Sequence, residues 1–83
     1  MTMTFDEHKV DDVVLALLHL NAFKDRYGWR AWKSFDWGAL DRLHERGLIS
    51  DPKSKAKSVA LSDEGVSLAA ELFEHHFGSA NES

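Results

Sequence analysis

The sequence predicts a single α+β domain that is mainly helical, with a two-stranded hairpin and a closing C-terminal helix. Segments with helical spacing of apolar residues lie toward both ends of the chain. Between them, two short apolar segments are separated by a turn. A chain of 83 residues is too short to support a second core. We therefore expect one domain over residues 1–78 and a flexible tail of small polar residues over 79–83.

The composition excludes several classes of protein. Hydrophobic residues make up 43% of the chain, too many for a disordered segment, and 29% of the residues are charged, which leaves no long uncharged run for a membrane span. The first residues contain no basic region followed by an apolar stretch, so no secretory signal is predicted. The absence of cysteine excludes disulfides and thiolate metal sites. We expect a cytoplasmic protein.

Charge is unevenly distributed along the chain, whose net charge is −4. Residues 24–57 contain nine Lys or Arg and five Asp or Glu, whereas the two flanks contain one lysine and nine acidic residues. Such separation can direct one face of a small protein toward an anionic partner while the other face repels it.

The first helix is predicted from Asp6 to Phe23, with acidic residues near its positive N-terminal end. Its apolar residues cover an arc of about 220°, which is wider than one packed face of a surface helix usually requires. We therefore expect part of this arc to contact another molecule.

Three aromatic residues, Trp29, Trp32 and Phe35, recur at intervals of three after a polar connection. This spacing predicts a short helical segment with the rings on one side. Large rings supply much of the buried contact in so small a domain, which favours a place in the core. The alternative is a surface on which nucleic-acid bases stack.

The next helix is predicted to begin after an N-cap at Ser34 or Asp36 and to end at Arg46, with Gly47 as its left-handed stop. The side opposite its apolar face carries Gly38, Ala39, Arg42, Glu45 and Arg46. Small residues followed by two arginines would allow close approach to a DNA groove. The alternative is an ordinary solvated face, because Glu45 and nearby acidic residues oppose phosphate.

A hairpin is predicted from residues 48–50 and 57–61, with Val59 and Leu61 pointing inward at period two. Between the strands, Lys53, Lys55 and Lys57 alternate with small residues. Such a loop could lie along a phosphate backbone. Alternatively, its lysines keep the loop solvated and protect the hairpin edge from aggregation.

The closing helix is predicted to begin after an N-cap at Ser62 and to run to about Phe77 before Gly78. Its apolar arc is also wide, at about 200°. Because both outer helices carry surplus apolar surface, we expect a homodimer. The predicted interface residues are Leu15, Leu18, Leu68 and Leu72.

The segment LDRLHERGLI from Leu40 is followed by a short loop and by VALSDEG from Val59. In this pattern about half of the chain resembles winged-helix (winged helix-turn-helix) transcription regulators. The resemblance matches the three parts to the end of the recognition helix, the wing and the start of the closing helix. It implies that Arg42, Arg46 and the wing lysines contact DNA. Only twelve residues separate Phe23 from Asp36, too few for the full second helix of these regulators.

A closer resemblance covers residues 6–77 and includes AWKSFDWGALDRLHERGLISDP and KAKSVALSDEG. It is to a family of short bacterial proteins known only as a domain of unknown function. This resemblance implies no activity.

Two functions are therefore predicted. The first is a small winged-helix DNA-binding protein, with transcription regulation as its expected role, whose contacts to double-stranded DNA come from Gly38, Arg42, Arg46, Lys53, Lys55 and Lys57. The alternative is a protein–protein interaction module on the same scaffold that does not bind DNA.

Catalytic, metal and cofactor sites are not expected. The five glycines are scattered rather than gathered in a phosphate-binding loop, and none of the five histidines has a partner four residues away on a helix. The serines have no identifiable histidine or lysine partner for nucleophilic catalysis. We expect that the protein is not an enzyme.

Overall fold

A computed structural model describes residues 4–79 of the protein. Three helices and three strands follow one another as α1 (Glu7–Leu20), β1 (Phe23–Asp25), β2 (Gly28–Trp32), α2 (Trp37–Glu45), β3 (Ser58–Ala60) and α3 (Asp63–Phe77). The predicted α+β class is confirmed. Most of the predicted tail, residues 80–83, lies outside the described residues.

The three strands form one antiparallel sheet in the order β1-β2-β3. Ile49 extends it by a single bridge to Leu61, and the Ser50 N–H donates to the Ala60 carbonyl at 2.8 Å. The hairpin predicted between residues 48–50 and 57–61 is therefore present, but its two segments pair only at these positions. Its second strand, β3, also pairs along its other edge with β2, which the sequence did not indicate.

The predicted short helix at Trp29 to Phe35 is wrong, because this segment begins with strand β2. A tight turn after β1 reverses the chain: Asp25 accepts a hydrogen bond from the Tyr27 N–H at 2.8 Å, and Gly28 has a φ of 134° that other residues rarely adopt. The strand has period two, so Trp29 and Ala31 lie on one face and Trp32 on the other. Ala31 is fully buried, whereas Trp32 is 53% exposed.

Helix α1 begins after Asp6, whose carboxylate accepts hydrogen bonds from the His8 and Lys9 N–H groups at 2.9 and 3.3 Å. It ends at Leu20, three residues before the predicted end at Phe23. The reason is that Phe23 pairs with Arg30 in the sheet.

The other predicted helix boundaries agree with the structure to within one residue: α2 ends at Glu45, and the predicted last residue, Arg46, is its C-cap. Asp36 caps α2 by accepting from the Ala39 N–H at 3.0 Å, and Gly47, with a φ of 76°, follows its last turn. Ser62 caps α3 by accepting from the Gly65 N–H at 2.9 Å. The same Ser62 hydroxyl donates to the Gly47 carbonyl at 2.8 Å, so the end of α2 and the start of α3 are joined.

The core lies between the sheet and the helices. Its fully enclosed large side chains come from α1, α2, the segment after α2 and β3: Leu15, Leu18, Leu40, Leu43, Leu48 and Val59. Among residues 4–79, no helix has both the length and the apolar character needed to cross a membrane.

Helices α1 and α3 pack against each other in antiparallel fashion. Lys9 and Val13, in the first half of α1, line a groove with Leu72 and His76 in the second half of α3. His19, near the end of α1, lines a cavity with residues from the first half of α3. This packing covers much of the apolar arc that suggested a partner. Leu15 and Leu18 have no exposed surface, so their prediction as dimer contacts is corrected: they belong to the core. Leu68 and Leu72 are half-buried and pack against that core.

Candidate nucleic-acid interface

The loop over residues 51–57, which we call the lysine loop, is fastened to the end of β2 by Lys33. The Lys33 ammonium donates to the carbonyls of Pro52 and Ser54, both at 2.7 Å, and its backbone N–H donates to the Lys57 carbonyl at 3.2 Å. Pro52 is fully enclosed and anchors the start of the loop. The loop is therefore held at both ends against one segment of the protein.

The three lysines of this loop, Lys53, Lys55 and Lys57, are all exposed. In the part of the chain that the structure describes, none of their ammonium groups forms a salt bridge or a hydrogen bond. Their positive charges are thus available to an anionic ligand. Asp51 begins the loop and accepts a hydrogen bond from the Lys53 N–H at 2.9 Å, which shapes the turn.

Two exposed tryptophans lie beside the lysine loop. Trp32, 53% exposed, is paired across the sheet with Ser58, the residue that follows the loop. Trp37, 55% exposed, has its ring centroid 6.0 Å from the Lys33 ammonium. The prediction that Trp32 lies in the core is wrong, because strand geometry places it on the sheet face opposite to Ala31. Indole rings in this position can stack on other planar groups.

Arg30 supports this surface from the sheet. Its Nε donates to the Ser58 hydroxyl at 2.7 Å and its terminal NH2 donates to the Ser58 carbonyl at 2.8 Å. These bonds hold Ser58, the first residue of β3, to β2. Because Arg30 lies two positions before Trp32 in the strand, its positive charge is on the same face of the sheet as Trp32. Phe23, the partner of Arg30 across the sheet, packs against Trp32 with ring centroids 5.2 Å apart.

Arg42, predicted to contact DNA, is instead bound to α1. Its Nε lies 2.8 Å from one carboxylate oxygen of Asp11, its NH2 donates to the other at 2.8 Å, and its NH1 lies 3.5 Å from Glu7. The hydrogen bond to Asp11 raises the pKa of Arg42 above its ordinary value, and the nearby carboxylates add to this effect. All three guanidinium nitrogens therefore already face carboxylates.

The remaining two predicted contacts lie on the same side of α2 as Arg42. Gly38 is half-buried, and a Cβ added there would lie 3.3 Å from Arg42 NH1. Arg46 is exposed and shares a shallow groove with acidic residues of α1 and α2, Glu7, Asp11 and Glu45. The structure thus separates the six predicted DNA contacts into an exposed lysine group and an α2 group beside acidic side chains.

Two residues of this surface, Lys33 and Trp37, were given no binding role from the sequence. For Trp32 the sequence favoured a place in the core and left a base-stacking surface as the alternative. The available signal was the run WKSFDW, residues 32–37, in which one lysine lies close to three aromatic residues. Surfaces that bind single-stranded nucleic acid combine cations with aromatic rings. The helical interpretation of the tryptophan spacing concealed this signal.

Comparison with known proteins identifies the family of this chain. Residues 6–79 match the family model described as "Domain of unknown function (DUF6429)". The chain belongs to the DUF6429 family. The DUF6429 match spans all six elements of the fold and confirms the closer of the two resemblances seen in the sequence.

A second comparison gives a relative of nearly the same length. The chain is 55% identical over 75 residues to "Uncharacterized protein y4hR" of Sinorhizobium fredii (strain NBRC 101917 / NGR234), and the match covers 90% of this chain and 97% of the relative. No solved structure matches the chain.

Proposed function

We propose that this member of the DUF6429 family is a small DNA-binding protein whose contact surface is the lysine loop together with Trp32 and Trp37. The observation that carries the proposal is that three exposed, unpaired lysines lie on a loop anchored by Lys33. The exposed Trp32 pairs with Ser58 at the end of this loop, and the exposed Trp37 lies near the Lys33 ammonium. Lysine ammonium groups bind phosphates, and tryptophan rings stack on bases.

The charge balance around the loop supports this proposal despite the negative net charge of the chain. Five basic side chains, Arg30, Lys33, Lys53, Lys55 and Lys57, are accompanied by two acidic ones, Asp36 and Asp51. Both acidic groups are engaged by backbone N–H groups, at 3.0 and 2.9 Å. The acidic outer helices would repel DNA from the rest of the surface and so orient it toward the loop.

The proposal changes the site inferred from the winged-helix resemblance. The lysine loop lies between α2 and α3 in the chain, the position of the wing in winged-helix regulators, and would make the main contacts with DNA. Helix α2, in the place of the recognition helix, would contribute less because Arg42 is bound by Asp11 and Glu7. Exposed indoles stack best on unpaired bases, so we expect single-stranded DNA to bind more tightly than duplex DNA of the same sequence.

The test is a fluorescence anisotropy titration of labelled single-stranded and duplex oligonucleotides at low salt. The variant Lys53→Gln/Lys55→Gln/Lys57→Gln should lose most of the binding. Its matched control is Lys9→Gln/Lys24→Gln/Arg26→Gln, which removes the same charge from exposed positions on α1 and at the other end of the β1–β2 hairpin. Equal loss of affinity in both variants, or no binding by the natural sequence, would contradict the proposal.

A transcription-regulator role requires preference among DNA sequences. The same titration, repeated with duplexes of differing base composition, measures it. Differences of at least tenfold would support a regulator, whereas uniform affinity would favour a protein that binds the phosphate backbone and stacked bases without reading sequence.

The second candidate is a protein–protein interaction module, with a homodimer as its simplest form. Exposed apolar side chains favour it, because Leu20 is 60% and Phe77 48% exposed, and Leu68 and Leu72 are only half-buried. Sedimentation equilibrium at tens of micromolar tests the dimer. A monomer under those conditions would contradict it.

A further inference from the structure

An apolar cavity of about 300 Å³ lies on the side of the sheet opposite to Trp32, between the end of α1 and the first half of α3. Its walls are formed by His19, Ala22, Trp29, Leu61, Val66 and Ala69. The two alanines provide little side-chain volume where larger residues would fill the space. The cavity therefore exists because Ala22 and Ala69 leave this space unfilled.

Two side chains give this cavity its chemical character. Trp29 forms one wall and is 40% exposed. Lys24, its partner on β1, places its ammonium group 6.0 Å from the centroid of the Trp29 ring. His19 packs against Phe73 with ring centroids 5.2 Å apart and the rings tilted by 49°. Within residues 4–79 the His19 imidazole makes no hydrogen bond, so its ring nitrogens can bond a ligand.

We propose that this cavity binds a small planar aromatic molecule of about two fused rings that carries one hydrogen-bonding group. The size follows from volume, because an engineered apolar cavity of about 150 Å³ binds benzene and this cavity has about twice that volume. The apolar walls and the Trp29 indole favour a flat ring system. His19 supplies the single directed polar contact that such sites commonly use to orient a ligand.

This site is independent of the DNA surface proposed above. Trp29 faces the cavity, whereas Trp32 lies on the other face of β2, and Trp37 belongs to α2. The three indole N–H groups therefore report on different places, and failure of either proposal leaves the other intact.

The test is an NMR titration of the isotope-labelled full chain with 2-naphthol and with indole. We expect saturable shifts of the Trp29 indole N–H and of the Val66 and Ala69 methyl signals, with little change at Trp37. Naphthalene, which lacks the hydroxyl group, should bind about fivefold more weakly because it cannot bond His19. Parallel, non-saturating shifts of all three indole signals would overturn the proposal.

Two variants that fill the cavity complete the test. Ala22→Leu, at a half-buried position after α1, and Ala69→Leu should each weaken 2-naphthol binding at least tenfold. Ala70→Leu is the matched control, because Ala70 is exposed on the same helix; it should leave binding unchanged. If Ala69→Leu fails to fold, Ala22→Leu decides the question, and undiminished binding by folded Ala22→Leu would overturn the proposal.

Discussion

Arg42 on α2 holds the carboxylate of Asp11 on α1 through two nitrogens, at 2.8 Å each, and Asp11 is only 3% exposed. Paired planar groups of this kind are geometrically specific. The pair joins α1 to α2. It engages the guanidinium group that the sequence predicted to contact DNA. Its role is therefore to hold the two helices together.

Replacement of Arg42 by methionine should lower the midpoint of thermal unfolding and leave DNA affinity unchanged. The loss of stability follows because Asp11 would remain buried without a partner. Arg46→Met, on an exposed side chain at the end of the same helix, is the control and should change stability little. Loss of DNA binding by folded Arg42→Met would show that α2 contacts DNA after all.

The pH dependence of this pair has a defined sign. Asp11 raises the pKa of Arg42 in the folded protein, so the arginine's contribution to stability is complete below its unfolded pKa and is lost only as pH rises through the folded one. Chemical denaturation between neutral and moderately alkaline pH should therefore show no loss of stability attributable to Arg42. A difference between the natural protein and Arg42→Met that shrinks within this range would contradict the assignment.

Gly65→Ala should destabilise the protein by about 1–3 kcal/mol, although alanine is the better helix former by about 1 kcal/mol. A Cβ at Gly65 would overlap the backbone carbonyl of Leu48, where the start of α3 crosses the segment after α2. Ser67→Ala, at an exposed position of α3, should shift the free energy of unfolding by less than about 0.5 kcal/mol. Urea denaturation measures both, and a stabilised Gly65→Ala would show that the two segments do not pack this closely.

Trp37→Ala should weaken single-stranded DNA binding by about 1–3 kcal/mol, the usual contribution of one base stacked on an aromatic ring. Tyr27→Ala is a suitable control, because Tyr27 is 85% exposed at the β1–β2 turn, away from the lysine loop. Anisotropy titrations of the two variants should differ accordingly. Equal affinities would remove Trp37 from the proposed surface.

Lys33→Met should increase the motion of the lysine loop and weaken DNA binding. The substitution keeps an apolar stem but removes the ammonium group that donates to Pro52 and Ser54. Backbone order parameters of residues 53–57 should fall, whereas those of Lys24→Met, which removes an ammonium group from β1, should not. A loop that stays ordered in Lys33→Met would mean that other contacts hold it.

Three helix boundaries, the two ends of α2 and the start of α3, were predictable because they depend on local chemistry. Asp36, Gly47 and Ser62 each act through backbone groups within a few residues, and the residue types alone indicate those roles. The lysine loop was also predictable, since it follows a turn and alternates small residues with charges.

The errors arose where distant residues decide the structure. The spacing of Trp29, Trp32 and Phe35 fits a helix, but pairing with β1 and β3 makes β2 a strand. Arg42 reaches Asp11 across thirty-one positions of the chain, which no local pattern indicates. Likewise, the wide apolar arcs of α1 and α3 predicted a partner molecule, whereas much of that surface is covered by the other helix.

The most direct test of the proposed DNA surface is an NMR titration of the isotope-labelled protein with a short single-stranded DNA oligonucleotide. We predict that the indole N–H signals of Trp32 and Trp37 and the backbone amides of residues 53–57 shift together and saturably, while Gly38 and Arg42 remain unchanged. Shifts confined to Gly38 and Arg42, or no shifts at low salt, would contradict the account.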